Sequence, residues 1–144
     1  MATPFGPQLI GQTEKTLNAL LDRILGDRLT EPQWVSLRIA HQLDGQVGSG
    51  DELAREVADR ARFGDAAALV ESLTAAGLLH QGRPTDQGRD LYAEILAQTA
   101  EASGPLFAHL PASDVDAAAR VLNEVLNRAR TSLAGIGDPL ASRP

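Results

Sequence analysis

The chain has 144 residues, of which 43% are hydrophobic and 22% charged, the size and composition of one compact globular domain rather than of a disordered chain or a membrane protein. It contains no cysteine and carries a net charge of −6, with Lys15 the single lysine among 13 basic residues; thiol chemistry and disulfides are excluded, and so is indiscriminate adhesion to nucleic acid or anionic lipid. Only 3% of residues are aromatic while alanine and leucine abound, a usage that favours helix over sheet.

The opening "MATPFGPQLIGQ" has neither a basic leader region nor an apolar core, and no apolar run approaches the roughly 20 residues of a bilayer span. A cytoplasmic location without membrane association follows as the expectation. Ile10, Leu17, Leu21 and Ile24 then recur at helical spacing and predict a first helix from Gln8 to Leu25. In "LTEPQWVSLRIAHQLDG", Thr30 and Gln33 have the spacing of a capping box and Pro32 falls in the first turn, so a second helix begins near Glu31.

"GQVGSG" reads as a connection holding at most a two- or three-residue edge strand. Ser49 and Glu52 repeat the capping-box spacing and open a third helix, "DELAREVADRAR", with Leu53, Val57 and Ala61 on one face. Phe63 and Gly64 interrupt it, Asp65 stands where the helix dipole favours a carboxylate, and "DAAALVESLTAAG" forms a fourth helix ending at Gly77. "LLHQGRPT" predicts a small hairpin whose second strand Pro84 makes irregular. Thr85 caps a fifth helix, which Gly104 and Pro105 break or kink. Ser113 and Asp116 open the last one, where Val115, Ala118, Leu122, Val125, Ala129 and Leu133 alternate at three and four. The tail from Gly135 is expected to fray.

Helices, a tight turn, a short hairpin and further helices predict a mostly α-helical winged helix-turn-helix. Four stretches in order then resemble the MarR family of bacterial transcription regulators, from about Leu9 to Leu133: "LTEPQWVSL", "DELAREVA", "LVESLTAAGLL" and "PTDQGRDLY". That resemblance implies a homodimer joined through the first and last two helices, and paired winged helices on pseudo-palindromic double-stranded DNA that are released when a small effector binds. It also implies one domain over residues 1–144, with residues 30–90 as the DNA-binding region and 8–26 and 91–134 as dimerisation helices. The chain departs from the family where DNA is touched: the wing is short and lacks the family's Asp-x-Arg motif, and Ala66, Ala67 and Ala68 stand where relatives place polar or basic side chains.

Between Asp51 and Arg89 there are five arginines and seven carboxylates, a local charge of −2. DNA contact is therefore assigned to Arg60 and Arg62 at the turn and Arg83 at the hairpin tip, with Ala67 and Ser72 meeting a thymine methyl and a phosphate. Charge pairing on a solvated surface is the competing account of the arginines, and helix packing that of the alanines. Trp34, Arg38 and His41 share a side of the second helix and are the candidates for an effector crevice: an aromatic wall, a cation for an anionic ligand, and a titratable hydrogen-bonder. Packing in the core is the alternative for Trp34. His41, His80 and His109 are too far apart for a metal site, and no nucleophile elbow, phosphate-cradling glycine motif or close carboxylate pair points to catalysis. The expectation is no cofactor and no enzyme. The competing function is the same fold with weakened DNA binding, acting through protein partners or holding a small ligand.

Overall fold

A computed structural model describes residues 2–136, which form α1 (Pro7–Leu25), α2 (Glu31–Gln42), α3 (Gly50–Ala61), α4 (Ala66–Ala75), β1 (Leu79–His80), β2 (Arg83–Pro84), α5 (Asp86–Phe107) and α6 (Ala112–Ile136). The architecture is mostly helical with one two-stranded antiparallel hairpin, the pattern of a winged helix-turn-helix. The chain divides into two compact units, Met1–Ser103 and Gly104–Pro144.

In the first unit the local chemistry of the sequence sets most boundaries. Thr30 accepts from the amide of Gln33 while the Gln33 side chain accepts from the amide of Thr30, a complete capping box. Ser49 caps the amide of Glu52, but the Glu52 carboxylate reaches Gly48 N–H, one residue earlier than a box requires. Gly77, at φ 80°, ends α4: its N–H donates to Thr74 and that of Leu78 to Leu73, a Schellman motif. Thr85 Oγ1 accepts from Gly88 N–H and donates to the Gly77 carbonyl, so one hydroxyl starts α5 and ties it to the end of α4.

α2, α3 and α4 pack on one another around Leu37, Ala40, Leu53, Val57 and Leu73, all fully buried, with Leu25 of α1, Leu79 of β1 and Ile95 of α5 closing the core. Each such leucine contributes about 1.5–3 kcal/mol through burial. "GQVGSG" forms no strand; Val47 instead turns its side chain into this core. Two glycines are demanded by close approach. A Cβ on Gly88 would overlap the Leu78 carbonyl, and one on Gly82, itself at φ 78°, would overlap the Ser49 carbonyl. The helix after the wing, and the turn of the wing itself, are thus pressed against the body of the domain.

The second unit holds the end of α5 and all of α6. Helix α5 is not broken at Gly104 and Pro105 but runs on to Phe107. Helix α6 begins at Ala112, one residue before Ser113: the Pro111 carbonyl accepts from the amides of Asp114 and Val115, and Ser113 is already inside the helix. Of the tail expected to fray, Gly135 and Ile136 close α6 and the rest lies outside the described residues. Val115, Leu122, Val125, Leu126, Leu133 and Ile136 of α6 are all exposed. Among the described residues, no helix is long and apolar enough to cross a membrane.

Candidate nucleic-acid interface

The turn between α3 and α4 is closed by Arg62, which adopts the left-handed conformation at φ 61° and donates its N–H to the Ala58 carbonyl. This geometry is usually left to glycine. Helix α4 buries Ala66, Leu69, Val70 and Leu73 and leaves Ala67, Ala68, Glu71, Thr74 and Ala75 exposed. Its outward face therefore offers methyl groups, one hydroxyl and one carboxylate, with no cation. A groove of about 480 Å³ runs beside it, lined by Gly50, Asp51 and Ala54 of α3 and by Ala67, Val70 and Glu71 among the residues of α4. Ser72 points elsewhere. Its Oγ accepts from Gln33 Nε2 at 3.2 Å and donates to the Leu69 carbonyl at 2.8 Å, which locks α4 to the start of α2.

The three candidate arginines all lie outside α4. Arg60 Nε is paired with Glu56 Oε2 at 3.0 Å, one helical turn away on an exposed surface. Arg62 has no ion pair among the described residues. Arg83 belongs to the wing, where Gln81 and Gly82 both take positive φ and so make a two-residue turn of the kind that suits a tight hairpin. Its Nε donates to Asp44 Oδ1 at 2.8 Å, while Arg89 Nη2 at the start of α5 donates to Asp44 Oδ2 at 3.1 Å. One carboxylate thus clamps wing and α5 to the end of α2. The Arg83 guanidinium, and after it that of Arg89, hold the Asp44 carboxyl below its ordinary value. Neither Asp44 nor Arg89 was reached by sequence reasoning, because their partners lie 39 and 45 residues away.

The three candidates for an effector crevice are brought together differently. Trp34 is 2% exposed and belongs to the core. Between it and His41 lies Tyr92 of α5, stacked on the indole at 5.2 Å and on the imidazole at 3.9 Å between ring centroids. His41 Nε2 is buried with no hydrogen-bond partner among the described residues, and burial, its largest influence, pushes the imidazole below the ordinary histidine value, with the nearby Gly88 backbone working against that. Arg38 is exposed. Tyr92 is the residue missed; as the only tyrosine, one turn before Ile95 on the buried side of α5, it carried a signal that helical spacing would have read.

Two helices joined by a tight turn, stabilised by a third and followed by a hairpin, define a winged helix-turn-helix, the fold of a DNA-binding domain. A family model described as a helix-turn-helix family matches residues 35–135, more than half of the chain, and the chain belongs to that family. No curated protein and no solved structure matches it.

Proposed function

We infer that this protein is a homodimeric, MarR-like transcription regulator of the cytoplasm. It occupies pseudo-palindromic operator DNA as a repressor and is released by a small aromatic or anionic effector. The observation that carries the reading is the ordered set of landmarks around the helix-turn-helix: the Thr30–Gln33 box, the Schellman end at Gly77, the two-residue wing and the Thr85 cap with Gly88 behind it. In this reading the whole chain acts as one domain, with residues 30–90 on DNA and residues 8–26 and 91–134 joining two copies. The exposed apolar side of α6 supplies the surface for that joining. Arg60, Arg62 and Arg83 take phosphates, Ala67 lies against a base edge, and Ser72 orients α4. The effector acts at the α2–α5 seam, where Arg38 faces solvent beside the Trp34–Tyr92–His41 stack. No catalytic step and no cofactor belong to this reading.

A second reading is favoured by one observation: the outward side of α4 and its groove present Glu71 and Asp51 and no cation. On that reading the domain has kept its fold and binds a protein rather than an operator. A salt titration of binding to the DNA upstream of the gene separates the two. Binding at low salt, with log affinity falling against log salt at a slope between about −3.6 and −5.4, supports the regulator; that range corresponds to about four to six phosphates. No shift at any salt down to low millimolar concentration overturns it in favour of the partner-binding reading.

A further inference from the structure

Helix α6 carries its own pairing instructions. Val115, Leu122, Ala129 and Ile136 succeed one another at seven residues along the middle of its exposed face, bordered by Ala118 and Val125 on one side and by Ala119, Leu126 and Leu133 on the other. Outside this strip run two edges: Asp114, Val121 and Arg128 along one, Asp116, Asn123 and Arg130 along the other, all exposed. Each edge is acidic toward the N-terminus and basic two heptads later. A helix with such edges is complementary to itself only when the second copy runs the opposite way.

We propose that α6 packs antiparallel against α6 of a second copy of this chain, about a two-fold axis at Leu122, with Asp114 facing the partner's Arg128 and Asp116 facing the partner's Arg130. A two-fold axis perpendicular to the helices lays each edge on the same edge of the other copy. With the axis at Leu122, both charge pairs are offset by only about 3 Å along the helix, from the 1.5 Å rise per residue. The axes that would align the two pairs perfectly fall at residues 121 and 123, one residue to either side. The same register sets small against large across the strip: Val115 against the partner's Ala129, Ala118 against the partner's Val125, and Ala119 against the partner's Leu126. Leu122 meets its own copy at the axis.

A parallel pair would lay each edge on the other edge of the partner, Asp114 beside the partner's Asp116 and Arg128 beside the partner's Arg130, with Ala129 on its own copy, combining repulsion with voids. Arg128 lies 2.9 Å from Glu124 within the helix, an exposed pair weak enough to yield or to be shared. The proposal rests on the homodimer reading above and adds the orientation and register that reading leaves open.

The chain lacks cysteine, so a single introduced thiol reports its own distance to its copy. Leu122→Cys and Val115→Cys occupy equivalent positions seven residues apart. In the antiparallel register two Leu122→Cys thiols meet at the axis, whereas two Val115→Cys thiols lie about 21 Å apart along the helix, beyond disulfide reach. Oxidation of the full-length variants, with sedimentation of the parent alongside, is expected to cross-link Leu122→Cys alone. Cross-linking of both variants overturns the orientation. Cross-linking of neither, in a parent that sediments as a dimer, overturns the register and leaves the homodimer standing; a monomeric parent overturns both.

Should Leu122→Cys weaken the dimer, charge reversal decides. Asp114→Arg with Asp116→Arg is expected to raise the dissociation constant by about tenfold, since four attractive pairs become repulsive. Adding Arg128→Asp and Arg130→Asp should restore it. Equal dimerisation of parent and half-reversed chain refutes the pairing.

Discussion

Replacing Asp44 by asparagine removes one negative charge and releases two guanidiniums, and the effect on DNA binding follows from the geometry. In the folded domain Arg83 and Arg89 both donate to this carboxylate, at 2.8 and 3.1 Å, so a phosphate that approaches the wing must compete with it for Arg83. If Asp44 keeps its partner, the proposed dimer neutralises four phosphates through Arg60 and Arg62 and the salt slope is about −3.6; with Arg83 released it neutralises six and the slope is about −5.4, from roughly −0.9 per phosphate. Asp44→Asn should therefore steepen the slope by about 2, and adding Arg83→Ala should return it to the starting value. Between about 50 and 200 mM salt this difference amounts to an extra tenfold or so in affinity lost. The cost in stability should be small, at most about 1 kcal/mol, because both arginines are close to half exposed. A carboxyl held below its ordinary value stabilises the fold above that value and ceases to do so as pH falls through the folded value. Acid should thus open the clamp in the parent below about pH 4, the ordinary carboxylate range, and have no such effect in Asp44→Asn. Fluorescence anisotropy of labelled operator over a salt series is the assay. Equal slopes for the parent, Asp44→Asn and the double variant would refute the idea that Asp44 and phosphate compete for Arg83.

Arg62→Gly removes the candidate arginine that has no ion pair among the described residues and relieves a left-handed backbone at φ 61°; it should raise the melting temperature by a few degrees while lowering the salt slope by about 2 per proposed dimer, and a lower melting temperature would show that the arginine side chain itself holds the turn. Gly88→Ala forces a methyl onto the Leu78 carbonyl and should cost about 1–3 kcal/mol in urea unfolding, with an unchanged midpoint contradicting the close approach. Because Trp34 is the only tryptophan and stacks on Tyr92, a panel of phenolic carboxylates should contain a compound that shifts its emission and weakens DNA binding together. Dissociating ligands that leave the emission untouched, with Arg38→Ala responding fully, would place the effector elsewhere. His41 is held below its ordinary value, so its contribution to stability is present above about pH 6.5 and falls away as acid protonates it; unfolding followed from pH 7 to 5 should show a loss that His41→Gln lacks.

The elements that could be read from the sequence are those in which the deciding partner is near in the chain. The Thr30–Gln33 box, the Thr85 cap and the Gly77 end each involve residues three to eight apart, and each sits where spacing and residue type place it. Ser113 misled because Ser and Asp three apart resemble a cap anywhere, while the competing acceptor, the Pro111 carbonyl, leaves no mark in side-chain type. The connection "GQVGSG" reads as room for a short edge strand because a valine between glycines has no local partner to betray it; its burial against distant helices settles its role. At the candidate site the same divide holds. A spacing of seven, two helical turns, places Trp34 and His41 on one side of α2, but the Tyr92 ring that separates them comes from α5, and the Asp44 clamp joins α2, wing and α5 across the fold. The reach of Arg83 could not be judged without it.

The wing explains why this domain must depend on its turn and flanks for charge. A hairpin of two residues per strand whose turn glycine is pressed against Ser49 has no length left to project, so the basic side chain it carries is drawn inward to the nearest carboxylate. The outward side of α4 has likewise no cation to offer. Any approach to DNA then exchanges intramolecular carboxylate pairs, Glu56 with Arg60 and Asp44 with Arg83, for phosphate contacts. Each exposed pair is worth roughly 0–1 kcal/mol, so the exchange itself is cheap, while the surrounding carboxylates Asp51, Glu52, Asp59 and Glu71 remain as a repulsive field that salt screens over about 8–10 Å. Raising salt therefore weakens the attraction of the arginines and this repulsion together. The salt dependence should flatten where the carboxylates dominate, and replacing Glu71 by glutamine, at the centre of the outward face, should tighten binding most at the lowest salt.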